Sequence, residues 1–253
     1  MLQREVSTAR AWRASLGRSI RLLREFRHEP SHPERFYSVI ADDSVGQLSQ
    51  YVDLAGRSML DVGGGPGYFR AAFEAAGVRY ISLDVEVTTH DETEGHARRA
   101  VVGSGMQLPF ATDSIDIVYS SNVLEHVDEP WKMADEMLRV TRPGGITFLA
   151  YTIWLGPWGG HETSPWHYLG GRFARRRYTR RHGHEPKNRF GESLFAVSAR
   201  DGLRWADAQR QAELLVAMPR YNPRWSYWML RVPLLREIVT WNLVLVLRKP
   251  VVT

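Results

Sequence analysis

Residues Leu60-Asp61-Val62-Gly63-Gly64-Gly65-Pro66-Gly67 constrain this chain more than any other stretch, because an apolar run ends in an acid and then in glycines at alternate positions. Arg57-Ser58-Met59-Leu60 leads in as a strand, and Tyr68 to Ala76 follows with helical composition closed by Gly77. Strand, glycine turn and helix in that order call for a parallel sheet built around the turn. Glycine permits positive φ and lets a ligand approach the backbone, while a helix start offers free N–H groups and a partial positive charge. A carboxylate-like or phosphate-like group is expected there; the other reading is a glycine-rich turn that binds nothing.

Spacing narrows the ligand. A dinucleotide fingerprint needs a third glycine at position 68, where this chain has Tyr68. The pattern that remains is Asp61-x-Gly63-x-Gly65-x-Gly67, with Pro66 fixing the backbone before the helix.

The rhythm continues downstream. Val78 to Asp84 reads as a second strand, Ala100-Val101-Val102 as a short third and Ile115 to Ser120 as a fourth. Pro130 to Arg142 has Trp131, Ala134, Met137 and Leu138 at helical spacing, and Ile146 to Tyr151 is a fifth strand. Residues 153–192 show no clear period and read as an insertion. Ser198 to Gln211 then looks helical, Leu214 to Met218 and Leu243 to Leu247 read as strands six and seven, and Val232 to Val239 as a short helix. Residues 7–50 read as two helices broken near Pro30-Ser31-His32-Pro33. The expected architecture is one domain spanning 1–253: a helical cap at 7–50, a core at 57–152 and an insertion at 153–192. The core is a doubly wound, Rossmann-like α/β sheet with ligands at the carboxyl ends of its strands.

Composition excludes some chemistry. The chain of 253 residues contains no cysteine, which rules out disulfides, thiolate metal sites and a cysteine nucleophile. Met1 to Glu5 opens no signal-peptide core and no 18 apolar residues run uninterrupted, so the expectation is a cytoplasmic protein. The net charge is +5, yet residues 172–189 alone carry +7, so one patch makes the chain basic.

Residues 57–152 resemble the core of a type 11 class I S-adenosylmethionine-dependent methyltransferase. The glycine turn is similar to that family's motif I, and Asp84 closes strand two 17 residues after Gly67. Leu108 to Asp116 resembles the turn into strand four, Ser121-Asn122-Val123-Leu124-Glu125-His126-Val127 the stretch after it, and Leu138 to Gly145 the lead into strand five. The resemblance implies a seven-stranded sheet with its last strand antiparallel, and S-adenosyl-L-methionine as cofactor. It places Asp61, Gly63, Gly65 and Gly67 at the methionine end, Asp84 on the ribose hydroxyls, Ser104, Gly105 and Met106 beside the adenine, and Ser121 and Asn122 near the transferred methyl. Ser104 stands where the family commonly has an aspartate. The whole chain also looks similar to actinobacterial methyltransferases associated with cell-envelope glycolipid metabolism.

Methyl transfer is an in-line displacement at an activated carbon, so alignment is the main requirement. A hydroxyl acceptor benefits from a general base, for which His126 is the candidate; a structural hydrogen-bonding role is the alternative. Similar O-methyltransferases hold a cation through Glu-x-x-Glu-His. Here Asn122 replaces the first glutamate, leaving Glu125 and His126, and His161, Glu162 and His167 have no defined metal spacing. No bound metal is expected.

The insertion follows strand five, so Trp154, Trp158, His161 and His167 are the expected acceptor-binding residues; a lid that only packs is the alternative. The acceptor expected is small or lipid-like. Leu16, Ile20, Leu23, Ala9 and Trp12, flanked by arginines, form an apolar face that either caps the sheet or the cofactor site or makes peripheral contact with an anionic membrane surface, and the arginine run at 172–189 reads as a solvated face or as a partner for phosphates or lipid headgroups. An RNA methyltransferase and a cofactor-binding module without turnover stay open as alternatives. The Asn/Asp-Pro-Pro-aromatic motif of base methyltransferases is absent at 121–124, which favours nucleic acid less.

Overall fold

A computed structural model describes residues 12–28, 32–86 and 100–251. The expected start of the cap at residue 7, Ala9, and Pro30 and Ser31 lie outside the described residues. Helix α1 (Leu16–Phe26) is capped by Ser15, whose hydroxyl accepts the Arg18 N–H at 3.2 Å. Helix α2 (Pro33–Leu48) starts at a proline that needs no N–H there. The core follows as β1 (Ser58–Val62), α3 (Arg70–Ala75), β2 (Arg79–Asp84), β3 (Ala100–Val102), β4 (Ile115–Ser121), α4 (Pro130–Val140) and β5 (Thr141–Thr152). Then come α5 (Gly171–His182), α6 (Ala199–Asp207), β6 (Glu213–Pro219), α7 (Leu235–Val239) and β7 (Asn242–Arg248).

The seven strands order as β3-β2-β1-β4-β5-β7-β6. β1 pairs in parallel with both β2 and β4, so the chain reverses its direction of winding at β1 and opens a crevice at the carboxyl ends there. β7 runs antiparallel between β5 and β6. Alternation along the strands splits the core: Met59, Tyr80, Ile117 and Tyr119 pack against α2 and α3 through Ile40 and Phe73. Leu60, Val62, Leu83 and Val118 face α4 and α6 through Met133, Met137 and Ala206.

Two expectations are corrected. The first core helix is only Arg70–Ala75, because Tyr68 and Phe69 finish the glycine turn. The insertion is not irregular throughout: the arginine run forms α5, ended by Gly183 in the left-handed conformation. Its sequence hides the helix because only Gly171 and Ala174 are buried, leaving no apolar stripe.

Arg220, fully buried, seats the cap on the sheet. Its guanidinium donates to Ser121 Oγ and Ser44 Oγ at 2.7 Å each, and its carbonyl accepts from Arg18 Nη1 at 2.7 Å. Arg18 Nε in turn donates to Asp43 Oδ1 at 2.7 Å. Among the described residues no helix is long and apolar enough to cross a membrane.

Candidate functional site

Gly63, Gly65 and Gly67 take φ of +79°, +51° and +81°, so the turn uses the left-handed region three times. A Cβ at Gly63 would stand 2.5 Å from Val123 Cγ2, which makes that position closed to any other residue. The Asp84 carboxylate holds the turn in place, accepting the Gly65 N–H at 2.9 Å and the Val85 N–H at 2.7 Å. Asp61 lies beneath the turn, buried, with its carboxylate accepting the Tyr80 hydroxyl. Burial raises its pKa to about 7, against the opposing pull of that hydrogen bond and of Arg70.

A cavity of about 300 Å³ opens at the crevice, lined among others by Gly63, Asp84, Gly103, Gly105, Asn122 and His126. Beside it lies a cavity of about 450 Å³ that shares Val85, Gly105, His126 and Val127 with the first and adds Ser104, Met106, Gly191, Glu192 and Phe195. His126 therefore stands between the two. It ends a 3-10 turn, Leu124–His126, directly after β4. Its Nδ1 lies 2.7 Å from the Ser193 carbonyl, which can only accept, so that nitrogen carries a proton and, in the neutral ring, the lone pair is on Nε2.

The turn is tied to the chain on both sides of the insertion. Phe195 N donates to the Glu125 carbonyl at 2.8 Å, and Glu125 Oε1 accepts the Thr152 N–H at 3.0 Å. The His161 ring is centred 5.1 Å from that of His126, and burial, helped by the neighbouring His126, pushes its pKa down to about 4.

Several expected site residues turn elsewhere. Ser121 spends its hydroxyl on Arg220, which follows β6, and does not line either cavity. Trp154, Trp158, His161 and His167 also line neither, and of Asp61, Gly63, Gly65 and Gly67 in the turn only Gly63 does. Trp154 packs on His167 and Phe190 at centroid distances of 5.3 and 4.7 Å, and Trp158 on Phe26 at 5.2 Å. The second cavity is walled instead by Gly191, Glu192 and Phe195, a stretch whose only sequence signal is a glycine beside an aromatic residue. Val85, Val123 and Met133 complete the first cavity without any polar signature.

The crevice at the strand-order reversal, cradled by glycines with an acid at the end of β2, defines the class: a Rossmann-like, class I methyltransferase fold. The methyltransferase domain family matches residues 60–149. A protein of Mycolicibacterium vanbaalenii named "Uncharacterized methyltransferase" is 55% identical over 251 residues, covering 93% of this chain and 96% of that protein. Its Mycobacterium marinum counterpart is 55% identical over 247 residues, covering 94% and 96%. This chain belongs to that methyltransferase family. Among solved structures, geranyl diphosphate methyltransferase in complex with SAM superposes with a TM-score of 0.56 over 93% of this chain and 91% of that one, at 16% identity. The Streptomyces coelicolor geranyl diphosphate C-methyltransferase gives 0.55 over 81% and 75%, also at 16% identity. These two share the fold.

Proposed function

We propose that this methyltransferase moves the methyl group of S-adenosyl-L-methionine to an oxygen of a small or amphiphilic acceptor, of the lipid, glycolipid or envelope-metabolite kind. The observation that carries the reading is the position of His126, with its lone pair on Nε2, between a glycine-cradled cavity and a second, partly apolar one. Gly63, Gly65 and Gly67 admit the methionine end of the cofactor, and Asp84 takes the ribose hydroxyls. Gly105 borders the adenine, with Ser104 and Met106 on its far side, and Asn122 lies near the sulfonium. The acceptor oxygen attacks the methyl carbon, the carbon–sulfur bond breaks with its electron pair returning to sulfur, and the acceptor's proton passes to His126 Nε2. S-adenosyl-L-homocysteine leaves. In this reading 57–152 is the cofactor core and 153–192 the acceptor lid.

Surface chemistry supports an amphiphilic acceptor. Leu16, Ile20 and Leu23 of α1 are exposed, as are Trp225, at 71%, and Trp228. Arg224 N donates to the Ala14 carbonyl at 2.8 Å, tying the tryptophan turn to the start of α1. Apolar side chains flanked by Arg13, Arg21 and Arg24 suit the headgroup region of an anionic bilayer.

Labelled methyl transfer into fractionated cell extract tests the proposal. Label is expected in the solvent-extracted lipid fraction and absent with His126→Ala. Label in RNA would overturn the acceptor class, and a thermal shift by S-adenosyl-L-homocysteine with no transfer to any fraction would overturn turnover itself.

A further inference from the structure

From the junction of β4 and the insertion, we infer a divalent metal site, formed by Glu125, His126 and His161 and selective for first-row transition ions. One carboxylate oxygen of Glu125 and one ring nitrogen from each histidine lie within 4.8 Å of one another. Ligand atoms around a single such ion at about 2.0–2.2 Å stand about 3–4 Å apart, a contraction that small side-chain rotations supply.

Three further observations separate this cluster from a chance grouping of polar residues. Glu125 is 1% exposed, and while its Oε1 takes the Thr152 N–H, its Oε2 is buried with no hydrogen bond. His161 Nε2 is likewise buried without a partner. Leaving a carboxylate oxygen and an imidazole nitrogen unsatisfied side by side is costly, and one cation satisfies both. Finally, His161 holds φ of +48°, a region that non-glycine residues rarely adopt, so the chain is bent to deliver this ring to the β4 turn. The Ser193 carbonyl orients His126 through Nδ1, the arrangement in which a carbonyl fixes a ligating imidazole's tautomer.

The donor set names the metal class. Two imidazoles and one carboxylate suit zinc, manganese, iron or cobalt better than magnesium or calcium, which prefer all-oxygen shells. Three protein ligands leave coordination positions open, and His126 lines both cavities, so an acceptor hydroxyl can complete the shell. This rests on the reading above for the acceptor and replaces one role in it: His126 Nε2 serves as a ligand in place of the base, and a coordinated hydroxyl would release its proton to water before attacking the methyl carbon.

Chelator-treated full-length protein is titrated with Co2+ while the visible d–d bands are followed, with Zn2+ as competitor. One ion per chain is expected, displaced by Zn2+, with affinity falling about a hundredfold in His161→Ala and in Glu125→Gln. The exposed His182→Ala with His184→Ala leaves the bands unchanged. No saturable band in the wild-type protein, or an identical band in His161→Ala, overturns the site. Thermal shift by S-adenosyl-L-homocysteine is read in parallel on every variant. If it persists while the cobalt signal is absent, only the metal proposal falls; if it is absent while cobalt binds, the cofactor reading falls alone.

Discussion

The two sides of the crevice are made differently. On the cofactor side, backbone does the shaping: three glycines at positive φ and one carboxylate that gathers two N–H groups. On the side proposed for the acceptor, side chains from distant segments meet: His126 after β4, with the His161 ring of the insertion set against it, Gly191 and Glu192 at the insertion's end, and Phe195 just beyond it. A backbone cradle is local and tolerates little change, whereas a wall assembled from loops can be rebuilt around a different acceptor. Under the proposed assignment, affinity for the methyl donor and choice of acceptor reside in separable parts of this molecule.

That separation can be broken by substitution. The largest effect is expected from His126→Ala, which lowers methyl-transfer turnover by about 10²- to 10⁴-fold while calorimetry shows unchanged binding of S-adenosyl-L-homocysteine. Next comes Gly63→Val, whose side chain meets Val123 and whose backbone must stay at positive φ; about a hundredfold weaker binding of the same ligand is expected. Asp84→Ala removes the acceptor of the Gly65 and Val85 N–H groups, and a tenfold to hundredfold loss in that affinity should follow. Phe195→Ala sharpens the contrast from the other side: KM for the acceptor rises about tenfold with no change in donor affinity. Should Phe195→Ala weaken donor binding as much as Asp84→Ala does, the two sides are one unit after all.

The smallest effect concerns pH. Asp61 releases its proton near the usual 3.8 in the unfolded chain but only at about 7 in the native one. Its contribution to stability is complete below the lower value and is lost as pH rises toward the higher, because the unfolded state then holds fewer protons. Wild-type Tm should therefore carry a downward component of about 10 °C between pH 4 and 7 that Asp61→Asn lacks. Equal slopes in the two proteins would remove Asp61 from the account.

The same contrast explains what could be read from the chain. Strands β1, β2 and β4 announce themselves as apolar runs, and Gly63, Gly65, Gly67 and Asp84 sit in sequence order around one turn, so the strands and the geometry of that turn were legible. Ser121 was not, since its hydroxyl is claimed by Arg220 from a loop after β6, a contact no local pattern encodes. Helix α5 was hidden by its charge, and the tryptophans of the insertion looked like acceptor walls because aromatic composition is the same for a binding face and a packed one. His161 could be named as a donor but not paired with His126, because a left-handed bend places it there.

The position of β7 carries one more consequence. Among the described strands it is the last in sequence, yet it lies between β5 and β6, with Leu243, Leu245 and Leu247 in one half of the core and Val244 and Val246 in the other. During synthesis, β1 to β5 are complete while the twelve-residue β5 still presents an unpaired edge, and β6 has no neighbour. Closure of the sheet must wait for Asn242–Arg248 to leave the ribosome. The nascent chain passes through a stage in which β1 to β6 are made and the sheet is still open, which makes translation pausing or a nick ahead of Asn242 a hazard for this protein.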